Sequence, residues 1–341
     1  MAYFRVSLPE NSRMAYTITS EPFGVLPDQH DPILEYTITD TETGEYMTIV
    51  PGYGGIVRRL ALRKNEKLIP ILYAPISLEG MIADESYASA LMFPYPSRIK
   101  HGTYRFEGEA YALRLNELNR DNSIHGFVND KPFEVTNKEV TSTEACLTIR
   151  YQNKGDVVGY PFPFDFTVTY SLRKTAGPTV MHLTYEALNT GSRTCPVAFG
   201  WHPYFTFNGQ SVDTLTITMA DRAPIVLDQK TMIPTGREEF REKSPLPLAN
   251  VQLDNAYELK PNEEGFVETS LRSDAADASI VVRQQTGPGK LNYLVCYTPP
   301  RRESVAIEAL TANVDAFNNG EGLVALAPGH TFCGDISVRL D

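Results

Sequence analysis

An all-β fold, a large antiparallel β-sandwich with few short helices, is predicted by three features of the sequence. Apolar and polar residues alternate at period 2 from one end of the chain to the other, as half-buried strands require. Helical periodicity is scarce. The strand-like runs are separated by Gly, Pro, Asn and Asp clusters without an alternating strand–helix pattern, which points to antiparallel sheets packed face to face.

In chain order, PGYGGIV (residues 51–57) predicts a tight turn before a strand. Gly52, Gly54 and Gly55 form no phosphate loop there, because no helical pattern follows. Residues 82–91 and a short stretch after Thr311 are the two places with room for a few helical turns. After the turn-like Glu107-Gly108-Glu109, the residues Tyr111, Leu113 and Leu115 alternate as a strand. The clearest strand is FDFTVTYSLRK, where Phe164, Phe166, Val168, Tyr170 and Leu172 alternate with polar neighbours. TVMHLTYEAL, TLTITM, ASIVVRQQ, NYLVCYTP and SVAIEAL follow, all rich in β-branched and aromatic residues. Phe332, Ile336, Val338 and Leu340 mark a last strand. The Pro-rich PYPS, GYPFPF, SPLPL and YTPP read as loop punctuation, and no linker or fixed-period repeat divides residues 1–341, so one domain is expected.

Composition narrows the function classes. With 42% hydrophobic and 21% charged residues among 341, the chain has the make-up of an ordinary globular protein with a sizeable core. A net charge of −11 and a pI near 5.1 disfavour nucleic acid or an anionic membrane as partner, since an acidic surface repels polyphosphate. The pairs Arg58-Arg59 and Arg301-Arg302 are too short to reverse this. MAYFRVSLPENS lacks a basic start followed by an apolar run of roughly 7 to 15 residues, so no secretory signal is read there. No uninterrupted apolar window of about 18 residues suggests a transmembrane helix. Cys146, Cys195, Cys296 and Cys333 are scattered without CxxC spacing and read as reduced, mostly buried thiols of a cytoplasmic protein.

Four segments place ionisable groups among aromatic and small residues: PYPSRIKHG, SIHGF, FGWHPYF and VAIEALTANVDAFN. Residues 304–310 are apolar on both faces, yet Glu308 sits in the middle, where an ionised carboxylate is costly unless paired. Half of a buried ion pair and a base in an apolar-walled site are both open readings. His202, between Trp201 and Pro203 with Tyr204 and Phe205 following, lies in an aromatic nest suited to a sugar face. A histidine so placed is more often a satisfied core residue. His125 precedes Gly126, which marks close approach to a ligand or simply a turn. Arg98, after Pro96 and Ser97, has a solvated side chain as its plain reading. His30, His101 and His330 read as surface residues, and His182 as outward-facing on its strand.

Taken together, the Arg-Ile of SRIKHGTYRFEGEAYAL, the His-Gly of SIHGF, and the GWHPYF, LDNAY and IEALTANVDAFN segments resemble the aldose 1-epimerases, or galactose mutarotases, in order and approximate spacing. The resemblance runs from about Gly52 to the end. It implies a many-stranded supersandwich of the galactose mutarotase-like type with a shallow sugar cleft, Glu308 as general base and His202 as general acid. Arg98, His125 and Asp254 are implied as sugar-binding residues, with Ser97, Trp201 and Asn292 as further candidates. Two positions depart from the family: Ser97 stands where an Asn is common, and the nearest counterpart of a common Gln is Asn292. No metal or redox cofactor is implied, because proton transfer by Glu308 and His202 opens and closes the sugar ring. An anionic Glu308 and a cationic His202 are expected to favour each other's charged forms.

Three other classes compete. A non-catalytic carbohydrate-binding sandwich would share the lining but has no reason to hold Glu308 in an apolar strand. A hexose-6-phosphate 1-epimerase would add arginines for phosphate, and Arg301 and Arg302 keep that open. A metal enzyme would need His125, His202 and Glu308 as ligands without HxH or HExxH spacing. The sequence leaves open the preferred aldose and whether the protein is a monomer or a homodimer.

Overall fold

The computed structural model describes residues 15–341, so the reading of the start as lacking a secretory signal lies outside the described residues. Among the described residues, alternating sequences become strands in three two-stranded ribbons and three large antiparallel sheets. The first is a five-stranded meander from Tyr16–Gly24 to Lys67–Pro70, with neighbours in chain order. The second has nine strands, in which Phe164–Arg173, Val180–Asn189, Thr331–Leu340 and Ala278–Gln285 are adjacent. The third also has nine; Asp254–Leu259, Tyr293–Tyr297, Val305–Leu310, Gly200–His202 and Ala90–Met92 run side by side in it, and Tyr204–Phe205 also pairs with Val305–Leu310.

The period-2 pattern fixes which side chains meet between the layers. In Phe164–Arg173 the residues Phe164, Phe166, Val168, Tyr170 and Leu172 are all buried. Phe93 stacks on Phe166 at 4.4 Å and meets Phe164 edge-on at 4.8 Å, while Tyr185 stacks on Phe199 at 3.9 Å. Such contacts add about 0.5–1.5 kcal/mol each beyond the area they bury, so the aromatic layer is a main source of cohesion beneath the third sheet.

Two local expectations need correction. The helix near residues 82–91 instead spans Leu78–Ile82, capped by the Ser77 hydroxyl, which accepts from Gly80 N at 3.2 Å. It stops because Asp84 accepts the amides of Ser86 and Ala88, and Tyr87 and Ser89 adopt left-handed backbone conformations. Residues 90–92 are already strand. The strand through Tyr111 ends at Ala112 and does not include Leu113 or Leu115; Leu113 N turns to Gly102 O at 2.7 Å, and the chain enters a loop that reaches the site. The short helix after Thr311 is present as Ala316–Asn319. Cys195 and Cys296 are buried, Cys146 is half-buried and Cys333 is exposed, all as free thiols. Among the described residues no helix is long and apolar enough to cross a membrane.

Candidate active site

Strand register accounts for the meeting of the two groups that stand out in the sequence. Gly200 pairs with Leu310 and Trp201 with Ala309, so the next step of the ladder brings His202 alongside Glu308, on the face opposite to Trp201. Pairing resumes past Pro203, with Tyr204 opposite Ala306. His202 Nε2 lies 3.4 Å from Glu308 Oε1, and the two side chains are 7% and 3% exposed. The ladder is closely packed at Gly200, where a Cβ would stand 2.5 Å from a Leu310 methyl, 2.7 Å from the Met92 methyl and 2.8 Å from Pro96 Cβ.

The pair opens into a cleft of about 980 Å³ that Ser97, Arg98, His125 and Asp254 also line, near the upper end of the usual range for small-molecule sites. Arg98–Lys100 and Asn122–Ile124 form a short ribbon, which His125 extends by donating its amide to Ser97 O at 2.9 Å. The chain beyond Glu308 pins that ribbon: Asp315 N donates to Arg98 O at 2.8 Å, and the Asp315 carboxylate accepts from Lys100 N at 2.9 Å. The His125 and His202 rings stand 5.2 Å apart, edge to face; Tyr87 contacts His125 at 4.7 Å and Tyr204 stacks on His202 at 5.0 Å. Nδ1 of both histidines is buried without a hydrogen-bond partner among the described residues. Among those residues no three His, Cys, Asp or Glu side chains gather closely enough to hold a metal ion.

Burial governs the ionisation of the pair. It pushes Glu308 well above the usual carboxylate range, against the pull of the Arg98 charge and with the help of Asp254. It also lowers His202 to about 4, against its own backbone and Asp84. Burial therefore opposes the expected mutually charged forms of the pair. At 3.4 Å the attraction of two unit charges is roughly 5 kcal/mol at an effective dielectric of about 20, while desolvation costs several kcal/mol for each of two ions. His125 is held well below its ordinary value by burial and then by His202 and Arg98. Asp254, at the exposed start of its strand, is raised by desolvation against the pull of Arg98.

Two expectations for site residues fail, Trp201 and Asn292, and the open reading of Gly126 is decided. Trp201 is fully buried in the main apolar core beside Phe205, because strand alternation turns it away from the face that carries His202. Asn292 lies away from the cleft: its side chain accepts from Gly287 N at 2.9 Å and donates to Gly287 O at 2.7 Å, closing a turn. The residue paired with Glu308 on that neighbouring strand is Val295, which lines the cleft. Gly126 marks close approach to protein backbone, since a Cβ there would stand 2.2 Å from Phe93 O.

The sequence reading missed Glu117 and Asn116. Both sit in a charged, polar loop that looks merely solvated, and both line the cleft. Glu117 holds Arg98 through a two-pronged ion pair at 2.9 Å. Arg302, a candidate for phosphate, instead binds Asp213 at 2.8 Å and donates to Leu248 O and Val251 O. Neither Arg301 nor Arg302 lines the cleft. Arg302→Ala is expected to lower the melting temperature by a few degrees, since hydrogen bonds to a charged group contribute about 1.5–3 kcal/mol before solvent screening, and to leave KM for neutral sugars unchanged. Differential scanning fluorimetry with initial-rate kinetics checks both halves.

Similarity to known proteins agrees with this geometry. The chain is 24% identical over 250 residues to YihR, an uncharacterized protein of Escherichia coli (strain K12), covering 72% of this chain and 76% of that one. It is 24% identical over 254 residues to the galactose mutarotase of Homo sapiens, covering 73% and 69%. The fold superimposes on a galactose mutarotase-like protein from Clostridium acetobutylicum with a TM-score of 0.79 at 20% identity, over 96% of this chain and 99% of the other. The profile of the family described as Aldose 1-epimerase matches residues 36–339, a span that takes in the cleft and every strand that builds it, and the chain belongs to that family.

Proposed function

We propose that the protein interconverts the α and β anomers of a free aldohexose, such as glucose or galactose, by general acid/base ring opening and closing. One observation carries the reading: a buried carboxyl and a buried imidazole 3.4 Å apart at the floor of an open polar cleft. Glu308 takes the proton from the anomeric O1 hydroxyl while His202 Nε2 gives one to the ring oxygen. The C1–O5 bond breaks to the free aldehyde, C1 rotates about C1–C2, and the reverse transfers close the ring on the other face. O1 and O5 are bonded to the same carbon, so two groups in mutual contact can address both.

In a resting pair with both groups neutral, as burial favours, and in a working pair with both charged, the two residues hold the same single proton. Moving it from Glu308 to His202 makes the base anionic and the acid cationic without changing net charge. Sugar hydroxyls that donate to the carboxylate favour that working form over the resting one. Arg98, His125 and Asp254 are the proposed partners of the ring hydroxyls, with Ser97 beside them.

A neutral substrate fits the charge balance. Asp84, Glu85, Glu117 and Asp254 line the cleft against only Arg98 and Arg120, and both arginines are engaged by Glu117. Galactose as a substrate is supported by the name of the human relative. Free thiols at all four cysteines support a cytoplasmic setting, and one apolar core shared by the three sheets supports reading the chain as a single domain. Polarimetry of freshly dissolved α-glucose, α-galactose and glucose 6-phosphate tests the reading. Faster mutarotation of the neutral sugars is expected, and acceleration of the phosphate ester alone would move the protein to the phosphorylated class. Activity is expected to survive exhaustive chelation, because side chains perform every proton transfer; loss with EDTA that a divalent ion restores would contradict that.

A further inference from the structure

We infer that Glu117, which the proposed reaction does not touch, is a positioning residue that fixes the Arg98 guanidinium against the sugar and offsets its charge. The inference rests on the reading of the cleft as a mutarotase site. Arg98 Nε donates to both Glu117 carboxylate oxygens, at 2.9 and 3.2 Å, and Nη2 donates to Oε1 at 2.9 Å. That leaves Nη1 without a hydrogen bond among the described residues, on a side chain that lines the cleft. A fork held by two of its nitrogens presents the third at a fixed angle, so less side-chain freedom is lost when a hydroxyl binds it.

Glu117 is itself held from the far side. Asn122 Nδ2 donates to Oε2 at 2.9 Å and Arg120 Nη1 to Oε1 at 3.1 Å. Burial would raise this carboxyl, and the hydrogen bonds and charge of Arg98 with those of Asn122 and Arg120 outweigh it, leaving Glu117 below the ordinary range and ionised. The neighbouring Asn116 accepts from Ile124 N at 2.7 Å and donates to Ile124 O at 3.0 Å, next to His125. One loop therefore sets both Arg98 and His125.

Charge links this clamp to the reacting pair. Arg98 pulls both Glu308 and His202 down, and Asp254, Asp84, His125, Tyr204 and Cys296 are the other titratable groups coupled to the pair or to its members. Removing the negative charge of Glu117 leaves Arg98 uncompensated. A more positive site loses protons more readily, so both limbs of the pH profile of the coupled pair move to lower pH.

The test compares Glu117→Gln with Glu117→Asp. The amide keeps the shape and loses the charge: KM is expected to rise about tenfold or more, and both limbs of kcat/KM against pH to fall by roughly 0.5 to 1 unit, the scale of one charge on the order of 10 Å away. The aspartate keeps the charge and loses the reach, so KM rises while the limbs stay in place. Wild-type KM and unmoved limbs in a folded Glu117→Gln variant would overturn the inference, as would wild-type KM in Glu117→Asp if the amide variant does not fold. A readout independent of turnover separates this from failure of the mutarotase reading. The Arg98 Nε–H resonance, assigned with Arg98→Lys, should exchange slowly with solvent in the parent and rapidly in Glu117→Gln. Equal exchange in both would refute the clamp even if the parent turns over no sugar.

Discussion

Glu308→Gln is expected to slow anomer exchange by about 10² to 10⁴-fold while leaving the fold as stable as the parent or slightly more so. The amide keeps the shape of the carboxyl but cannot accept the O1 proton. Its stability effect follows from burial. The carboxyl of Glu308 is raised on folding, so above its unfolded value of about 4.3 the unfolded chain ionises while the folded one retains the proton, and stability falls as pH rises toward the folded value. A neutral amide removes that fall. If Glu308 were instead the anionic half of a structural ion pair, the same change would strand a buried cation and cost about 3–5 kcal/mol. Melting and turnover measured on one preparation separate the outcomes; a destabilised but active variant would refute the assignment.

His202→Asn is expected to retain sugar binding and lose about 10²-fold or more in turnover, the usual scale for a general acid. It also carries a pH signature of opposite sign. His202 is lowered by burial to about 4 from 6.5, so between these values the unfolded chain binds a proton that the folded one refuses. Parent stability therefore drops as pH falls through that window, by up to about 3 kcal/mol at about 1.4 kcal/mol per unit. The asparagine variant should show a shallower loss in denaturant titrations at pH 7 and pH 4. Equal acid sensitivity would show that the imidazole titrates normally in the fold, and near-normal turnover would reduce it to packing.

The strands were the most legible part of the chain, because a half-buried strand writes its two faces directly into alternate residues. Phe164, Phe166, Val168, Tyr170 and Leu172 are all buried, and of the residues between them only Ser171 is buried as well. Glu308 was legible for the complementary reason: one carboxyl in an otherwise apolar strand breaks the pattern. The aromatic neighbourhood of Trp201 says nothing of its face, and strand alternation sends it into the core and His202 into the cleft. Asn292 resembles a glutamine in chemistry but not in place, since the strand pairing puts Val295 beside Glu308. Glu117 could not be seen, since its partner Arg98 comes from a different segment and only the folded ribbon brings them together. The charge states were less legible, because burial desolvates both groups and so opposes the attraction between them.

The most direct measurement of the central claim is magnetisation exchange between the α and β anomeric protons of equilibrated glucose and galactose, recorded by NMR with catalytic amounts of the protein. The parent should transfer saturation between the anomers at a rate proportional to protein concentration, and Glu308→Gln, folded to the same degree, should return it to the rate of buffer alone. Anomer exchange indistinguishable from buffer for both sugars with the parent protein, or undiminished with Glu308→Gln, would contradict the account.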